Sequence, residues 1–278
     1  MQKIISKFFI LLFILFSSCE NKAIRDKEGL IVYQENQISW VRNFEPLNPV
    51  SIPRWPTRGG IYESLYLNNP ITTDWIPWLA TNYKWENNNK KLLFTIRPNV
   101  QWSDGKPFSA HDVAYTLNLW KEYPALDTRN AWEYLKSVVA VSDTVVQIDF
   151  KRIYVPGFEA IAGAPIIPKH IWEELKDPLD FSNPNPVGTG PFTEILRFNT
   201  QVWELGKNHN YWQKGKPYVE KLIFPTFSTN EQTTLALLSG KLDWAGAFIP
   251  AIQRIFVDKD PEHHHYWFRN TGHSTFLH

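Results

Sequence analysis

LLFTIRPNVQWSDGKPFSAHDVAYTLNLW, residues 92–120, reads as a strand, a turn and a helix in one line. Leu92, Phe94 and Ile96 alternate with Leu93, Thr95 and Arg97, the period of a strand with one better-buried face. Pro98 ends it by removing a ladder donor. Asp104-Gly105 predicts a tight turn, because glycine tolerates positive φ and aspartate bonds its own local backbone. Ser109 stands three residues before Asp112, just ahead of Val113, Leu117 and Trp120, so a capped helix with an apolar stripe is expected to start there.

Working outward, the β-strand Leu30 to Tyr33 leads into a loop rich in Pro and Asn over residues 43–53. Ile61 to Tyr66 carries apolar residues at helical spacing. Tyr83 to Trp85 and Lys91 to Ile96 predict a hairpin around Asn87-Asn88-Asn89, since asparagine suits positive φ. Residues 131–135 read as a helical turn. Residues 137–141 and 144–150 form a second hairpin, and Pro168 is placed at a helix start. Residues 177–186 form a proline-rich crossover loop. Glu231 to Leu238 reads as a helix with Leu235 and Leu238 on its inner face.

These stretches, taken in order, resemble the family 5 extracellular solute-binding proteins, the peptide, nickel and oligosaccharide receptors of ABC importers. Arg97, Val100, Trp102-Ser103-Asp104-Gly105 and Phe108 to Val113 resemble the family signature. Phe44 to Pro49 is similar to its FNPL motif. Ile61 to Leu65 with Pro77 to Ala80, Ile166 to Trp172, Gly188 to Phe192, Asn210-Tyr211-Trp212 with Gly215 to Pro217, and Gly240 to Trp244 resemble the rest.

The resemblance implies a mixed α/β fold of the periplasmic-binding-protein type II kind. Residues 29–58 and 165–265 would form lobe one and residues 59–164 an inserted domain. Residues 266–278 would be the truncated start of a third lobe, since family members are roughly twice this length and hold ligand between lobes one and three.

The first residues are of another kind. Lys3 and Lys7 precede the apolar run Phe8 to Phe16, too short for a membrane span, which takes about 20 residues. Residues 1–18 therefore read as a signal peptide. Ser17-Ser18 before Cys19 resembles a bacterial lipobox, which implies lipidation of Cys19, and polar residues 19–28 would be the tether. Cys19 is the single cysteine, so an exported chain forms no internal disulfide.

With 278 residues, 43% of them hydrophobic, the chain is long enough for real cores, and a net charge of +1 gives no electrostatic case for a nucleic-acid partner. Glycines at 188 and 190 lack the Lys-Ser or Lys-Thr of a phosphate loop. His263-His264-His265 lacks the spacing of a metal site on a strand, where neighbours face opposite sides, so no metal or cofactor is expected. The sequence has no Gly-x-Ser-x-Gly elbow and no cysteine nucleophile, and it is the ordered motifs of the solute-binding resemblance that imply a binding protein and not an enzyme.

Thirteen tryptophans suit aromatic stacking on sugar rings or peptide side chains. Trp102, Trp120, Trp172 and Trp212 fall in periodic patterns and are assigned to the core. Trp55, in the loop IPRWPTRGG, is not, and that loop resembles the cello-oligosaccharide-binding branch of the family. Arg54, Trp55, Arg58, Trp244 and Phe248 are the candidate ligand contacts. The resemblance implies an oligopeptide or oligosaccharide ligand captured in the periplasm or cell envelope and a membrane ABC permease as partner. A surface lipoprotein for adhesion or sensing, or a secreted glycoside hydrolase, is the alternative.

Overall fold

The computed structural model describes residues 29–47, 56, 59–69 and 71–266. The proposed signal peptide, Cys19 and its tether, and Arg54, Trp55 and Arg58 lie outside the described residues, as does nearly all of 266–278.

Two sheets carry the fold. The first has five strands, β1 (Gly29–Tyr33), β8 (Phe192–Phe198), β9 (Val202–Lys207), β10 (Lys221–Pro225) and β11 (Trp244–Ala245), in the order β11-β1-β10-β9-β8. β1 runs parallel to both β10 and β11, while β10, β9 and β8 are antiparallel. The second sheet, β4 (Ala80–Glu86), β5 (Lys91–Ile96), β7 (Val145–Phe150) and β6 (Leu135–Ser142), is wholly antiparallel. A two-stranded ribbon, β2 (Tyr66–Asn68) with β3 (Trp75–Pro77), stands between them in the chain.

The deciding stretch folds as its pattern predicts. Leu92, Phe94 and Ile96 of β5 are buried, and Gly105 turns the chain at φ +86°. Helix α1 (Ala110–Glu122) opens with a capping box, in which Ser109 Oγ accepts from His111 N and Asp112 Oδ2 accepts from Ser109 N at 2.9 Å. Val113, Leu117 and Trp120 form its buried stripe against the second sheet. Asn87, Asn88 and Asn89 all take positive φ in the β4–β5 hairpin.

Asp112 does more than cap its own helix. Its Oδ1 accepts from Lys169 N at the start of the short helix α3 (Lys169–Trp172), and Thr116 Oγ1 accepts from Ile167 N. The segments 109–116 and 166–172 are thus bound to each other by side chains reaching backbone donors.

Three expectations fail. Ile61 to Leu65 is not helical: Gly60 O and Ile61 O accept from Phe192 N and Gly190 N, and Leu65 O from Trp78 N and Ala80 N. The backbone groups a helix would need are spent on neighbouring segments, and only Tyr66 onward is strand. In α4 (Asn230–Leu238), the buried residues are Thr233, Ala236 and Leu237, while Leu235 and Leu238 are 69% and 38% exposed. That helix lies on a small second core with Tyr33, Leu242 and Ile249, which meets the i, i+3, i+4 face containing Thr233. The histidine run is not a strand: His263 closes a turn and pairs with Asp260, while His264 and His265 follow in irregular backbone, His264 stacking on Phe256 at 3.9 Å. Between the main elements lies α2 (Gly157–Ala162), and near the end α5 (Ile252–Ile255).

Candidate functional site

The segment 60–65 runs between the two sheets, and both sides hold it. Gly188 and Gly190 press against it so closely that a Cβ at either would come within 2.0 or 2.1 Å of Ile61 O or Gly60 O. This close approach, and not a phosphate, is what those glycines serve. From the other side Trp78 N donates to Leu65 O and Leu79 N to Ser64 O.

Beside this seam lies a cavity of about 290 Å³. Its wall takes Pro46 and Leu47 from the first loop, Tyr62 from the seam, Trp120 and Leu126 from the end of α1 and the turn after it, and Arg129. Small residues Ala160, Gly163 and Ala164, at and after α2, leave room opposite. The size is near the lower end for small-molecule pockets, about 300–1,000 Å³, and aromatic walls with few polar groups are usual in them.

The polar groups are arranged in detail. Asp127 is committed to its own turn, accepting from Ala131 N at 2.7 Å and Trp132 N at 2.8 Å. Arg129, exposed, gives one N–H to Glu159 O at 2.8 Å. A guanidinium carries five donors, so this contact orients it without exhausting it. Tyr62 hydroxyl is hydrogen-bonded by Asn183 in the buried interior, and burial pushes its phenol well above the usual range, so it stays neutral.

On the other side of Tyr62 the chain places Glu63, buried, whose carboxylate accepts from Trp78 Nε1 at 2.6 Å, Tyr211 hydroxyl at 3.0 Å and Trp212 Nε1 at 3.0 Å. Burial raises its carboxyl above the ordinary carboxylate value, against the opposing pull of those donors. Arg97 donates Nε to Trp78 O at 2.6 Å and lies 4.5 Å over the Trp212 ring.

The predicted contacts fare unevenly. Trp244, at the sheet edge in β11, and Phe248 are 42% and 74% exposed, and neither lines the cavity. Trp102 and Trp172 are core residues, and Trp212 packs against the core at the seam. Trp120, also assigned to the core, is buried yet forms part of the cavity wall. Tyr62 and Arg129 were missed by pattern reading. The available signal for Arg129 was its place in a Pro- and Asn-punctuated turn directly after a helix. Among the described residues no group of three metal-ligating side chains comes together, and no helix is long and apolar enough to cross a membrane.

The sequence profile of the bacterial extracellular solute-binding proteins, family 5 Middle, matches residues 74–277. The nickel-binding periplasmic protein of Escherichia coli is 28% identical over 220 residues, 74% of this chain and 40% of that protein. The oligopeptide-binding protein OppA of Bacillus subtilis is 26% identical over 187 residues, 60% of this chain and 34% of that protein. Among solved structures, the mannohexaose-bound periplasmic oligopeptide-binding protein of Thermotoga maritima superposes with a TM-score of 0.75 at 27% identity, covering 84% of this chain and 44% of that one. NikZ of Campylobacter jejuni, in complex with Ni(L-His), shares the fold with a TM-score of 0.70 at 22% identity, over 85% of this chain and 46% of that one. The chain spans less than half the length of these relatives. Its architecture is the mixed α/β fold of type II periplasmic binding proteins, and the chain belongs to the bacterial extracellular solute-binding proteins, family 5.

Proposed function

We propose that this protein is a solute receptor of an ABC importer, capturing an oligosaccharide or oligopeptide outside the cytoplasmic membrane and delivering it to a permease by non-covalent binding alone. The observation that carries this reading is the family 5 match over residues 74–277 on a type II binding-protein architecture; the cavity walled by Tyr62, Trp120, Leu126 and Arg129, an apolar slot with one oriented cation beside it, is the candidate solute surface among the described residues. Aromatic walls stack on sugar rings or peptide side chains, and a guanidinium serves hydroxyl, carbonyl or carboxylate oxygens. The Thermotoga relative holds mannohexaose and the Bacillus relative is named for oligopeptides, which supports both ligand classes.

In this reading residues 29–58 and 165–265 form lobe one and residues 59–164 the inserted domain. Arg54, Trp55, Arg58, Trp244 and Phe248 are further ligand contacts in this reading, and Cys19 carries a lipid that keeps the receptor at the membrane.

Calorimetric titration with mannohexaose and, separately, with trialanine tests it. Binding of either without turnover, weakened about tenfold or more by Arg129→Ala, is the expected result; a group that loses a charged hydrogen bond gives up about that much. Absence of binding for both ligands at millimolar concentration, or hydrolysis of the oligosaccharide, overturns it. Cys19→Ala is expected to move the protein from the membrane fraction to the soluble one.

A further inference from the structure

Glu63 stands out among the buried titratable groups because the cavity does not use it directly. Its two oxygens take three donors from two separated segments: Trp78 from the turn between β3 and β4, and Tyr211 and Trp212 from the loop after β9. Its own carbonyl accepts from Ile166 N at 3.1 Å, next to the cavity residue Pro165. Residue 63 is therefore held at both its backbone and its side chain, and residue 62, immediately before it, lines the cavity with its hydroxyl held inside by Asn183.

The charge state matters to this arrangement. Two indole N–H groups cannot accept a proton, and Tyr211 hydroxyl already takes an N–H from Gln213. A carboxylate offers lone pairs enough for all three donors. A protonated carboxyl gives up the charge that strengthens these bonds and must find an acceptor for its own O–H, which weakens its hold on the donor at that oxygen. The titratable and charged groups facing Glu63 are Tyr211 from the loop and Arg97 from the end of β5, which is over the Trp212 ring and not on the carboxylate; on the Tyr62 side the nearby acid is Glu45.

We propose that Glu63 is a positioning residue for the ligand cavity: its carboxylate, by gathering Trp78, Tyr211 and Trp212 onto one acceptor pair, sets the place of Tyr62 in the cavity wall. This rests on the reading of that cavity as the solute site. It adds that capture depends on the ionisation of a group the ligand never touches. Burial raises that ionisation above the ordinary carboxylate value.

The test needs no ligand, so it is independent of whether the solute reading holds. In the full chain, the ¹H–¹⁵N indole signals of Trp78 and Trp212 and the ¹⁹F signal of 3-fluorotyrosine at position 62 are followed against pH. All three are expected to move on one curve, with a midpoint above the ordinary carboxylate value, and the curve is expected to vanish in Glu63→Gln. Trp78→Phe serves if Glu63→Gln does not fold: losing a donor to the anion raises the midpoint, and the Tyr62 curve must shift with it. A Tyr62 signal that stays still while the indoles titrate, a curve that persists in Glu63→Gln, or an unshifted Tyr62 curve in Trp78→Phe overturns the proposal. Failure of both sugars and peptides to bind, with the shared curve present, overturns the solute reading and leaves the positioning role standing.

Discussion

Gly190 and Gly105 are both glycines in turns, and the structure separates their reasons. At Gly190 an added Cβ meets Gly60 O at 2.1 Å and Ile61 O at 2.8 Å, so the backbone of the seam must move. At Gly105 the space is open and only the φ of +86° is strained. Gly190→Ala is expected to destabilise by about 2–3 kcal/mol or more, as overpacking of a rigid contact does, and Gly105→Ala by about 1 kcal/mol, the cost of a left-handed non-glycine residue. Urea unfolding of both variants checks the order, and a larger loss at Gly105 would contradict it. Nothing in the letters G-T-G-P-F distinguishes these causes, because the atoms that forbid a side chain belong to residues more than a hundred positions earlier.

At the scale of elements, local rules were legible where the pattern and the packing agree. The strand β5, the hairpin on Asn87 to Asn89 and the capping box of α1 all follow from short-range chemistry. Ser109→Ala is expected to cost about 1 kcal/mol, the usual worth of an N-cap, measured as a drop in the unfolding midpoint without change in slope. The helix α4 shows where such rules run out. Its apolar residues Leu235, Leu237 and Leu238 allow more than one inner face, and the small core around Tyr33 and Leu242 selects the one with Leu237. Leu237→Ala should therefore cost about 2 kcal/mol or more, while Leu235→Glu should stay within about 0.5 kcal/mol of the parent. Equal losses at the two positions would mean the opposite face is packed.

Over the whole molecule, two buried carboxyls tie distant segments together: Asp112 joins α1 to α3, and Glu63 joins the seam to the 208–213 loop. Burial is the leading cause that raises both above their ordinary values. The fold therefore holds protons on them where the unfolded chain, with carboxyls near about 4, does not. Their contribution to stability is fully present below that unfolded value and is lost as pH rises through the folded values. The melting-temperature difference between the parent protein and Glu63→Gln is expected to shrink, with the parent losing ground, as pH rises from about 4 toward neutrality. A difference that grows over that interval would contradict the direction of the shift. The exposed acids Glu86, Glu231 and Asp260 are held below their usual values by local hydrogen bonds, so their slopes run the other way in both proteins and cancel in the comparison.

By itself the sequence determined the local elements, the order of motifs and hence the family, because strand period, caps and turn residues act over a few positions and their order is preserved along the chain. The tertiary structure alone decided the rest: that Ile61 to Leu65 is not a helix, that three motifs meet on Glu63, and that Tyr62, Trp120 and Arg129 share one cavity. Each of these depends on backbone carbonyls, indoles and a guanidinium brought together from segments tens to more than a hundred residues apart, a proximity that composition and periodicity do not encode.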